Sequence, residues 1–457
     1  MREVRRIAAA AAALAVLAAA ACEVEEDRII YLATGRDVSG NNLYLSLIQE
    51  WNRAHQKEGY RAYLVELPGS ADEQYAEMVR DAQSGSPEYD IINIDNQFIA
   101  MFAEAGWIKE IGPGWAEANG FPDADGTALL EGTFRETLIR SVTYEDEAYA
   151  VPFTADVGML YYRRDLVGQG SLTAGRTFHE ILAELADAAE GTDVDHLYIG
   201  QFAQYEGFTV NTMEIVAGEQ GRLIVSGEQR LADIHRNGAE HQALNLIAAS
   251  FEDGTFHPAA LDSNEEEAYV RFLSGETVAM RNWPIWYRRL LIASTENDSG
   301  HASEYAVEAL PGAVLGGQSL ALAAETPHEE AALDLIRFLT GEEQQQLLFY
   351  CGGYAPTRQD IYVNKLSPEQ AAQLCASYEI TGEDAWHNQA NQLLDTIRLA
   401  IDDAQLRPVT PYYSQFSEEV FSGLHPMFAD ALHGAVPLDA KRLAQVYTAA
   451  DRALDGS

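Results

Sequence analysis

The sequence predicts an α/β protein built as two lobes, each with a mostly parallel sheet flanked by helices. Strand and helix patterns alternate near the N-terminus, which is typical of parallel sheets. The chain has 457 residues, whereas a single hydrophobic core stops growing at roughly 250–300 residues. The sequence also contains no low-complexity linker and no internal repeat. We therefore expect two lobes joined by several crossings of the chain, which would form a multi-strand hinge.

The first 27 residues have the features of a targeting segment. An arginine-rich start is followed by an apolar run over residues 7–21, which is shorter than the span of about 20 residues that a transmembrane helix needs. We interpret residues 1–21 as a signal peptide. Cys22 follows three alanines, an arrangement typical of lipoprotein signals, so residues 22–27 would form a lipid-anchored tether. The alternative is an ordinary secretory signal that leaves Cys22 as a free thiol.

The charge of the chain excludes nucleic acid as a partner. The formal charge is −41, and removing residues 1–21, with three arginines and one glutamate, moves it to −43. Nucleic acids and anionic membrane surfaces bind clustered lysine and arginine, so an acidic surface repels both. We interpret the excess of carboxylates as a solvated surface, in keeping with a salty exterior that screens self-repulsion.

The N-terminal half of the predicted first lobe alternates between strands and helices. Residues 28–33 form a β-rich segment, and apolar residues then recur at helical spacing from Leu43. A strand is predicted over 60–67, a helix over 72–83 and a buried strand over 90–95. Ligands of parallel sheets bind beyond the carboxyl ends of strands, so Asp37 and Asp95 are expected near a site.

Later segments suggest how the chain returns between the lobes. A helix is predicted over 265–273 and an extended segment over 278–280. A further helix is predicted to open at Thr326, with threonine as its N-cap and proline at its first position. Its apolar stripe should pack on a sheet, and the chain beyond it is almost entirely helical. The predicted lobes are residues 23–150 with 280–325, and residues 151–279 with 326–457.

Two further cysteines, Cys351 and Cys375, follow Cys22 in the chain. An extracellular location permits disulfides, so these two residues either pair and close a local loop or remain as buried thiols.

The sequence lacks the common motifs of catalytic and cofactor-binding sites. We find no P-loop, dinucleotide fingerprint, paired-histidine zinc motif or nucleophile elbow. We therefore expect no cofactor, no metal and no enzymatic activity. A glycoside hydrolase needs only two carboxylates that face a sugar, so this class remains the main alternative.

Aromatic residues beside polar ones indicate carbohydrate chemistry. Trp283, Tyr354 and the pair Tyr412 and Tyr413 occupy predicted loops. Sugar rings present apolar C–H faces and hydroxyl edges, so a sugar site needs flat aromatic rings with carboxylate, amide and arginine groups at the rim. Trp51, Trp107 and Trp286 are better explained as core residues. Trp283 is different because it follows a predicted strand and precedes Pro284.

The sequence resembles the extracellular solute-binding proteins of ATP-driven sugar importers, particularly the trehalose- and maltose-binding lipoproteins. Eight segments in order carry the resemblance, which covers nearly the whole mature chain. They are Leu67 to Gln74, Asp90 to Asp95, Phe102 to Trp107, Tyr149 to Asp156, Tyr205 to Gly207, Asn282 to Pro284, Leu315 to Ala321 and Leu406 to Pro411.

The resemblance implies roles for individual residues. It places a ligand-binding acid at Asp95, a stacking platform at Trp283 and a hydroxyl clamp at Arg407. It also implies that backbone approaches the ligand at Gly316 and Gly317. A glutamate near residue 265 should bind as well, and both Glu265 and Glu266 are candidates. The remaining candidates are Asp37, Asn41, Asn42, Asp156, Glu206, Gln318 and Tyr354.

Two of these positions depart from the pattern of the resembled proteins. At Asp156 asparagine is familiar in the trehalose binder, and aspartate keeps an acceptor but loses a donor. At Gln318, just after the paired glycines, an aromatic or aliphatic residue is usual. Both departures bear on which sugar is bound.

The resemblance also implies the biological setting. Its fold would be that of periplasmic binding proteins. The protein would be a monomer anchored to membrane lipid through Cys22 on the extracellular face of the membrane, or in a periplasm. It would capture a small sugar, such as the disaccharides trehalose or maltose, in the cleft between the lobes. It would then deliver the sugar to the transmembrane subunits of an ABC permease, whose separate ATPase supplies energy. A protein that binds a non-sugar solute is the other alternative.

Overall fold

A computed structural model gives the architecture of the protein. It describes residues 28–111, 130, 132–168, 172–224, 231, 238–296, 305–434 and 438–457. The predicted signal peptide, Cys22 and the acidic tether lie outside the described residues.

Strands and helices are numbered here in chain order within the described part. The strands are β1 (Ile29–Thr34), β2 (Arg61–Glu66), β3 (Ile91–Asp95), β4 (Thr143–Tyr144), β5 (Glu147–Ala148), β6 (Val151–Val157), β7 (Met159–Arg163), β8 (His196–Ile199), β9 (Thr277–Asn282), β10 (Tyr305–Ala309) and β11 (Leu315–Leu322). The helices of the first half are α1 (Leu43–Ala54), α2 (Ala71–Ala82), α3 (Ile99–Glu104), α4 (Glu136–Ser141), α5 (Arg164–Val167), α6 (Phe178–Ala189), α7 (Glu206–Gly218) and α8 (Ala239–Glu252). Those of the second half are α9 (Glu265–Leu273), α10 (Ile285–Glu296), α11 (Glu329–Leu339), α12 (Glu342–Gly352), α13 (Pro368–Ala376), α14 (Asp384–Asp403), α15 (Tyr413–Leu432) and α16 (Ala440–Asp455).

Two sheets form the centres of two lobes, which confirms the predicted two-lobed α/β class. The first sheet has the order β2-β1-β3-β11-β6 and the second has the order β10-β7-β9-β8. The prediction that both sheets are mostly parallel is wrong. Strands β1, β2 and β3 run parallel, but β11 is antiparallel to both β3 and β6. In the second sheet only β8 and β9 are parallel.

The sheets are mixed because the chain crosses between the lobes inside consecutive strands. Strand β6 ends the first sheet and, after Gly158 alone, β7 opens the second. The chain returns between β10 of the second sheet and β11 of the first. Strand β7 therefore continues in the direction of β6, and its direction in the second sheet is set by this short connection.

The sheets also divide the chain differently from the predicted lobes. Strand β6 belongs to the first sheet although its residues were assigned to the second lobe, whereas β9 and β10 belong to the second sheet. Helix α11 packs against β11 and α1 of the first lobe. The expected boundaries at residues 151, 280 and 326 are therefore corrected, because sheet pairing, not sequence order, decides which lobe a strand joins.

The predicted amphipathic helix after residue 326 is present, but it begins later than expected. Helix α11 starts at Glu329, and its apolar stripe is buried (Ala332, Leu335, Ile336 and Leu339). Thr326 is not its N-cap. The Thr326 hydroxyl instead bonds to the Asp90 carboxylate and accepts a hydrogen bond from the backbone N–H of His328, at 3.1 Å.

The remaining helices surround the two sheets. Helices α7, α8, α15 and α16 pack together on the second lobe, while α12 and α13 are joined by a disulfide between Cys351 and Cys375, whose Cα atoms are 5.4 Å apart. Of the two alternatives for these cysteines, the structure has the pair.

Among the described helices, none combines the length and the apolarity that crossing a membrane requires.

Candidate functional site

The carboxyl ends of the first sheet bring two predicted acids together. Asp95 is the last residue of β3, and Asp156 lies near the end of β6. Strand β11 runs between them, with Gln318 opposite Asp95 and Gly316 opposite Asp156. Both carboxyl groups are half-buried. Within the described part of the chain, neither accepts a hydrogen bond from protein.

Burial makes both carboxyl groups unusually weak acids. It raises the pKa of Asp95 to about 7, because the charges of Glu206, Asp72 and Glu265 add to burial and Arg407 offsets them only in part. Burial and the charge of Asp95 raise the pKa of Asp156 to about 8. Like charges in one site oppose each other, so the charge of Asp95 disfavours the ionised form of Asp156.

The indole of Trp283 stands beside these acids. Trp283 follows β9, is half-buried, and its Nε1 donates to Oε1 of Glu265 at 3.2 Å. A Cβ placed on Gly316 would lie 3.1 Å from both Asp156 Cβ and Trp283 Cζ3. The backbone at Gly316 therefore runs tightly between the acid and the ring, and any side chain there would crowd both.

An arginine that the sequence analysis missed supports Trp283. The guanidinium carbon of Arg281 lies 3.7 Å from the centroid of the indole ring. Arg281 is fully buried and donates to both carboxylate oxygens of Glu214, at 2.7 and 2.8 Å. The guanidinium thus covers one face of the half-buried indole. Alternation along β9 could have suggested this role, since Arg281 lies two residues before Trp283.

The structure separates the two adjacent glutamates at the start of α9. Glu265 is half-buried and bonded to Trp283, whereas Glu266 is exposed and forms an ion pair with Arg289, at 2.8 Å. We therefore place Glu265 in the site and Glu266 outside it. Helical geometry gives the reason, because neighbouring positions point about 100° apart.

Arg407 reaches the site from the second lobe, but it is already paired. It lies in the loop after α14 and before Pro408, as predicted, and it is buried. Its Nη1 donates to Oε1 of buried Glu206 at 2.9 Å. Glu206 also accepts hydrogen bonds from Tyr413 at 2.7 Å and from Ser417 at 2.6 Å. Arg407 is therefore one part of a fixed polar cluster and not a free side chain.

A second group of predicted residues flanks Asp156. The Asp37 carboxylate accepts hydrogen bonds from the Tyr354 hydroxyl and the Ser39 N–H, both at 2.8 Å. The rings of Tyr354 and Tyr44 stack with centroids 5.2 Å apart. Burial raises the pKa of Tyr44, and the charges of Asp37 and Asp156 raise it further. Tyr44, which the sequence analysis did not select, therefore links Asp37 and Tyr354 to the acids at the strand ends.

The other predicted residues lie outside the group formed by the acids and Trp283. The Asn41 amide donates to the carbonyl of Cys351 at 2.9 Å, and Asn42 is exposed just before α1. Gln318 accepts from the Asn93 amide at 3.0 Å. Gly317 has a φ of 110°, and a Cβ there would lie 2.4 Å from the carbonyl oxygen of Thr154. Gly317 is thus explained by the close pairing of β11 with β6, without a ligand.

We call the group that the two lobes assemble the interlobe site. Its members are Asp95, Asp156 and Gly316 from the first lobe and Glu206, Glu265, Trp283 and Arg407 from the second. It offers acceptors, one paired guanidinium and one half-buried aromatic ring. In the described residues, no three His, Cys, Asp or Glu side chains are placed to hold a metal ion.

Comparison with known proteins gives a family-level match. The model of the bacterial extracellular solute-binding proteins matches residues 62–346. A probable ABC transporter-binding protein from Deinococcus radiodurans is 27% identical over 323 residues, which are 68% of this chain and 72% of that protein.

Solved structures share the fold at low identity. The maltose-bound MalE3 of T. maritima superposes with a TM-score of 0.73 at 21% identity, covering 94% of this chain and 99% of that one. The GacH receptor of Streptomyces glaucescens, solved unliganded and with acarbose, has a TM-score of 0.71 at 18% identity, with coverage of 94% and 99%.

Proposed function

The chain belongs to the bacterial extracellular solute-binding proteins, and from this premise we propose that it captures a small sugar in the interlobe site. A disaccharide such as trehalose or maltose fits the proposal, with delivery to an ABC permease whose separate ATPase supplies energy. Of the proteins named above, one is described as a probable ABC transporter-binding protein, one was solved with maltose bound and one was solved with acarbose. This agreement supports the proposal for this chain.

The observation that carries the proposal is the half-buried ring of Trp283 beside the carboxyl groups of Asp95 and Asp156, which accept no hydrogen bond from the described residues. An indole face suits the apolar C–H surface of a sugar ring. Asp95, Asp156 and Glu265 can accept hydrogen bonds from hydroxyl groups at the edge of that ring. Because these acids come from both lobes, a bound sugar would bond to both and favour the closed arrangement.

A binding titration tests the proposal. We expect trehalose or maltose to raise the melting temperature of the purified protein and to bind measurably in a calorimeter. Asp95→Asn should weaken binding by more than tenfold, since hydrogen bonds to charged groups contribute roughly 1.5–3 kcal/mol. Trp283→Ala should also weaken binding, because it removes the aromatic face on which the sugar ring would pack. Asp403→Asn, a change at an exposed acid that ends α14, is the matched control and should bind like the parent.

The same samples distinguish a binder from a glycoside hydrolase. A retaining or inverting hydrolase needs one ionised and one protonated carboxyl group on opposite sides of the scissile bond. A binding protein leaves the sugar intact after long incubation, as measured by chromatography. Cleavage of the disaccharide, or failure of every sugar tested to bind, would contradict the proposal.

We also propose that the protein is tethered outside the cell by lipid on Cys22. The three alanines before Cys22 support this assignment. Cys22→Ala should release the protein from the membrane fraction into the medium without weakening sugar binding. Persistent membrane association of this variant would contradict the lipid anchor and leave the binding proposal intact.

A further inference from the structure

A carboxylate of the first lobe caps a helix of the second. Oδ2 of Asp72, in the first turn of α2, accepts a hydrogen bond from the backbone N–H of Glu206 at 2.9 Å. Glu206 is the first residue of α7, and the side chain of its N-cap residue, Tyr205, makes no capping hydrogen bond. The first N–H groups of a helix need acceptors from outside the helix. For α7, one of these acceptors comes from the other lobe.

Asp72 is not needed to cap its own helix. Helix α2 has a complete capping box, in which the Ser70 side chain accepts from the Glu73 N–H and the Glu73 side chain accepts from the Ser70 N–H. Asp72 lies between these two residues in sequence, yet its carboxylate bonds across to Glu206. The two functions are therefore separable by substitution at adjacent positions.

The same part of α2 makes another contact with the second lobe. The hydroxyl groups of Tyr75 and Ser414 are 3.3 Å apart, and Ser414 lies in the first turn of α15. The rings of Phe98 and Tyr413 also meet edge to face across the lobes, with centroids 6.4 Å apart. Asp72 thus belongs to a rim where the two lobes touch.

This capping contact bears directly on the interlobe site. The side chain of Glu206 holds Arg407, and the charge of Arg407 acts on Asp95 of the first lobe. Burial raises the pKa of Asp72, and the N–H of Glu206 offsets this effect in part. When the lobes separate, the Asp72 carboxylate loses this donor, and the N–H of Glu206 must bond to water instead.

We infer that Asp72 is a positioning residue that favours the closed form by capping α7 across the cleft. The inference rests on the proposed binding function. A protein that binds ligand only when closed has an apparent dissociation constant that scales inversely with its closed population. Loss of a helix N-cap usually changes an equilibrium by about fivefold. Asp72→Ala should therefore weaken binding of every sugar by a common factor of up to about five.

The experiment compares three variants with the parent protein, using trehalose and maltose as probes. Asp72→Ala removes the contact across the lobes. Glu73→Ala removes a capping contact within α2 and is the matched control. Asp72→Asn keeps an oxygen acceptor, and asparagine caps helices as well as aspartate does. Dissociation constants, the radius of gyration without sugar from X-ray scattering, and the melting temperature without sugar are measured for each.

We expect Asp72→Ala to bind both sugars more weakly by the same factor, of up to about five, to have a larger radius of gyration without sugar, and to melt near the parent. Asp72→Asn should bind like the parent, as should Glu73→Ala. Unchanged binding in Asp72→Ala, unequal losses for the two sugars, or an equal loss in Glu73→Ala would each overturn the inference. If neither sugar binds the parent, the binding proposal fails, and the scattering comparison of parent and Asp72→Ala still decides whether Asp72 favours closure.

Discussion

The ion pair beneath Trp283 allows a quantitative test of how the site is supported. Arg281 and Glu214 are both fully buried and share two hydrogen bonds. Oε1 of Glu214 also accepts from the backbone N–H of Val314 at 3.2 Å. Glu214→Gln removes the negative charge but keeps a side-chain oxygen of the same size for Val314. The substitution therefore leaves the Arg281 guanidinium without its counter-ion and with one acceptor fewer.

The expected cost follows from burial. Breaking a buried ion pair by removing one partner costs about 3–5 kcal/mol, because the remaining charge stays in a medium of low polarity. Arg281 would keep Oε1 of Gln201, at 3.2 Å, and the indole face, which places the cost toward the lower end of the range. In a lobe of about 150–250 residues, each kcal/mol lowers the melting temperature by about 2–4 °C. We expect a loss of roughly 6–12 °C.

Thermal and urea unfolding measure this loss, with an exposed ion pair as the control. Arg442 and Asp430 form such a pair, with 47% and 50% of their side chains exposed. Asp430→Asn should cost less than about 1 kcal/mol. The double variant Glu214→Leu with Arg281→Met removes both charges, so it should recover most of the stability that Glu214→Gln loses. It should still bind sugar more weakly, because the indole has lost its supporting guanidinium.

Two results would refute this reasoning. The first is that Glu214→Gln melts within about 2 °C of the parent, and the second is that the double variant is less stable than Glu214→Gln. Either result would mean that the buried charge of Arg281 is stabilised by groups other than Glu214.

Three further predictions concern the acids of the site and the disulfide. Burial raises the pKa of Asp156 to about 8 from an ordinary value of 3.8, so the native carboxyl group keeps a proton that the unfolded chain releases, and stability falls as pH rises from about 4 to 8. Melting temperatures should fall less over this range in Asp156→Asn than in the parent, and parallel curves would contradict the shift. Glu265→Gln should weaken sugar binding by about tenfold in calorimetry while Glu266→Gln leaves it unchanged; equal effects would contradict their separation. Replacing Cys351 and Cys375 by serine opens a loop with a sequence separation of 24, which should cost about 3 kcal/mol in urea unfolding; reducing the parent should cause the same loss, and no loss in either experiment would contradict the pairing.

Local patterns in the sequence located the elements that begin the first lobe. The strand predicted over residues 28–33 is Ile29–Thr34, and the strand predicted over 90–95 is Ile91–Asp95. The helix predicted over 265–273 has those same bounds. Such segments are predictable because apolar periodicity and capping residues act over a few neighbouring positions.

The sequence also indicated which kinds of residue build the site. Asp95 at a strand end and Trp283 after a strand were both selected from their place in the pattern, and the structure brings them into one site. These residue types were predictable because a sugar site in any protein needs an aromatic face and hydrogen-bond acceptors.

Tertiary structure alone decided the partners and therefore the roles. Arg407 faces Glu206, which is 201 positions away, and Asp72 caps a helix that begins 134 positions later. Sheet pairing sent β6 to the first lobe and gave both sheets mixed strand directions. Apolar periodicity indicates which face of an element is buried, but it carries little information about which other element covers that face. Three features of the site depend on that covering element, because each arises only where two distant segments meet. They are the selection of Glu265 over Glu266, the guanidinium beside Trp283 and the helix cap across the lobes.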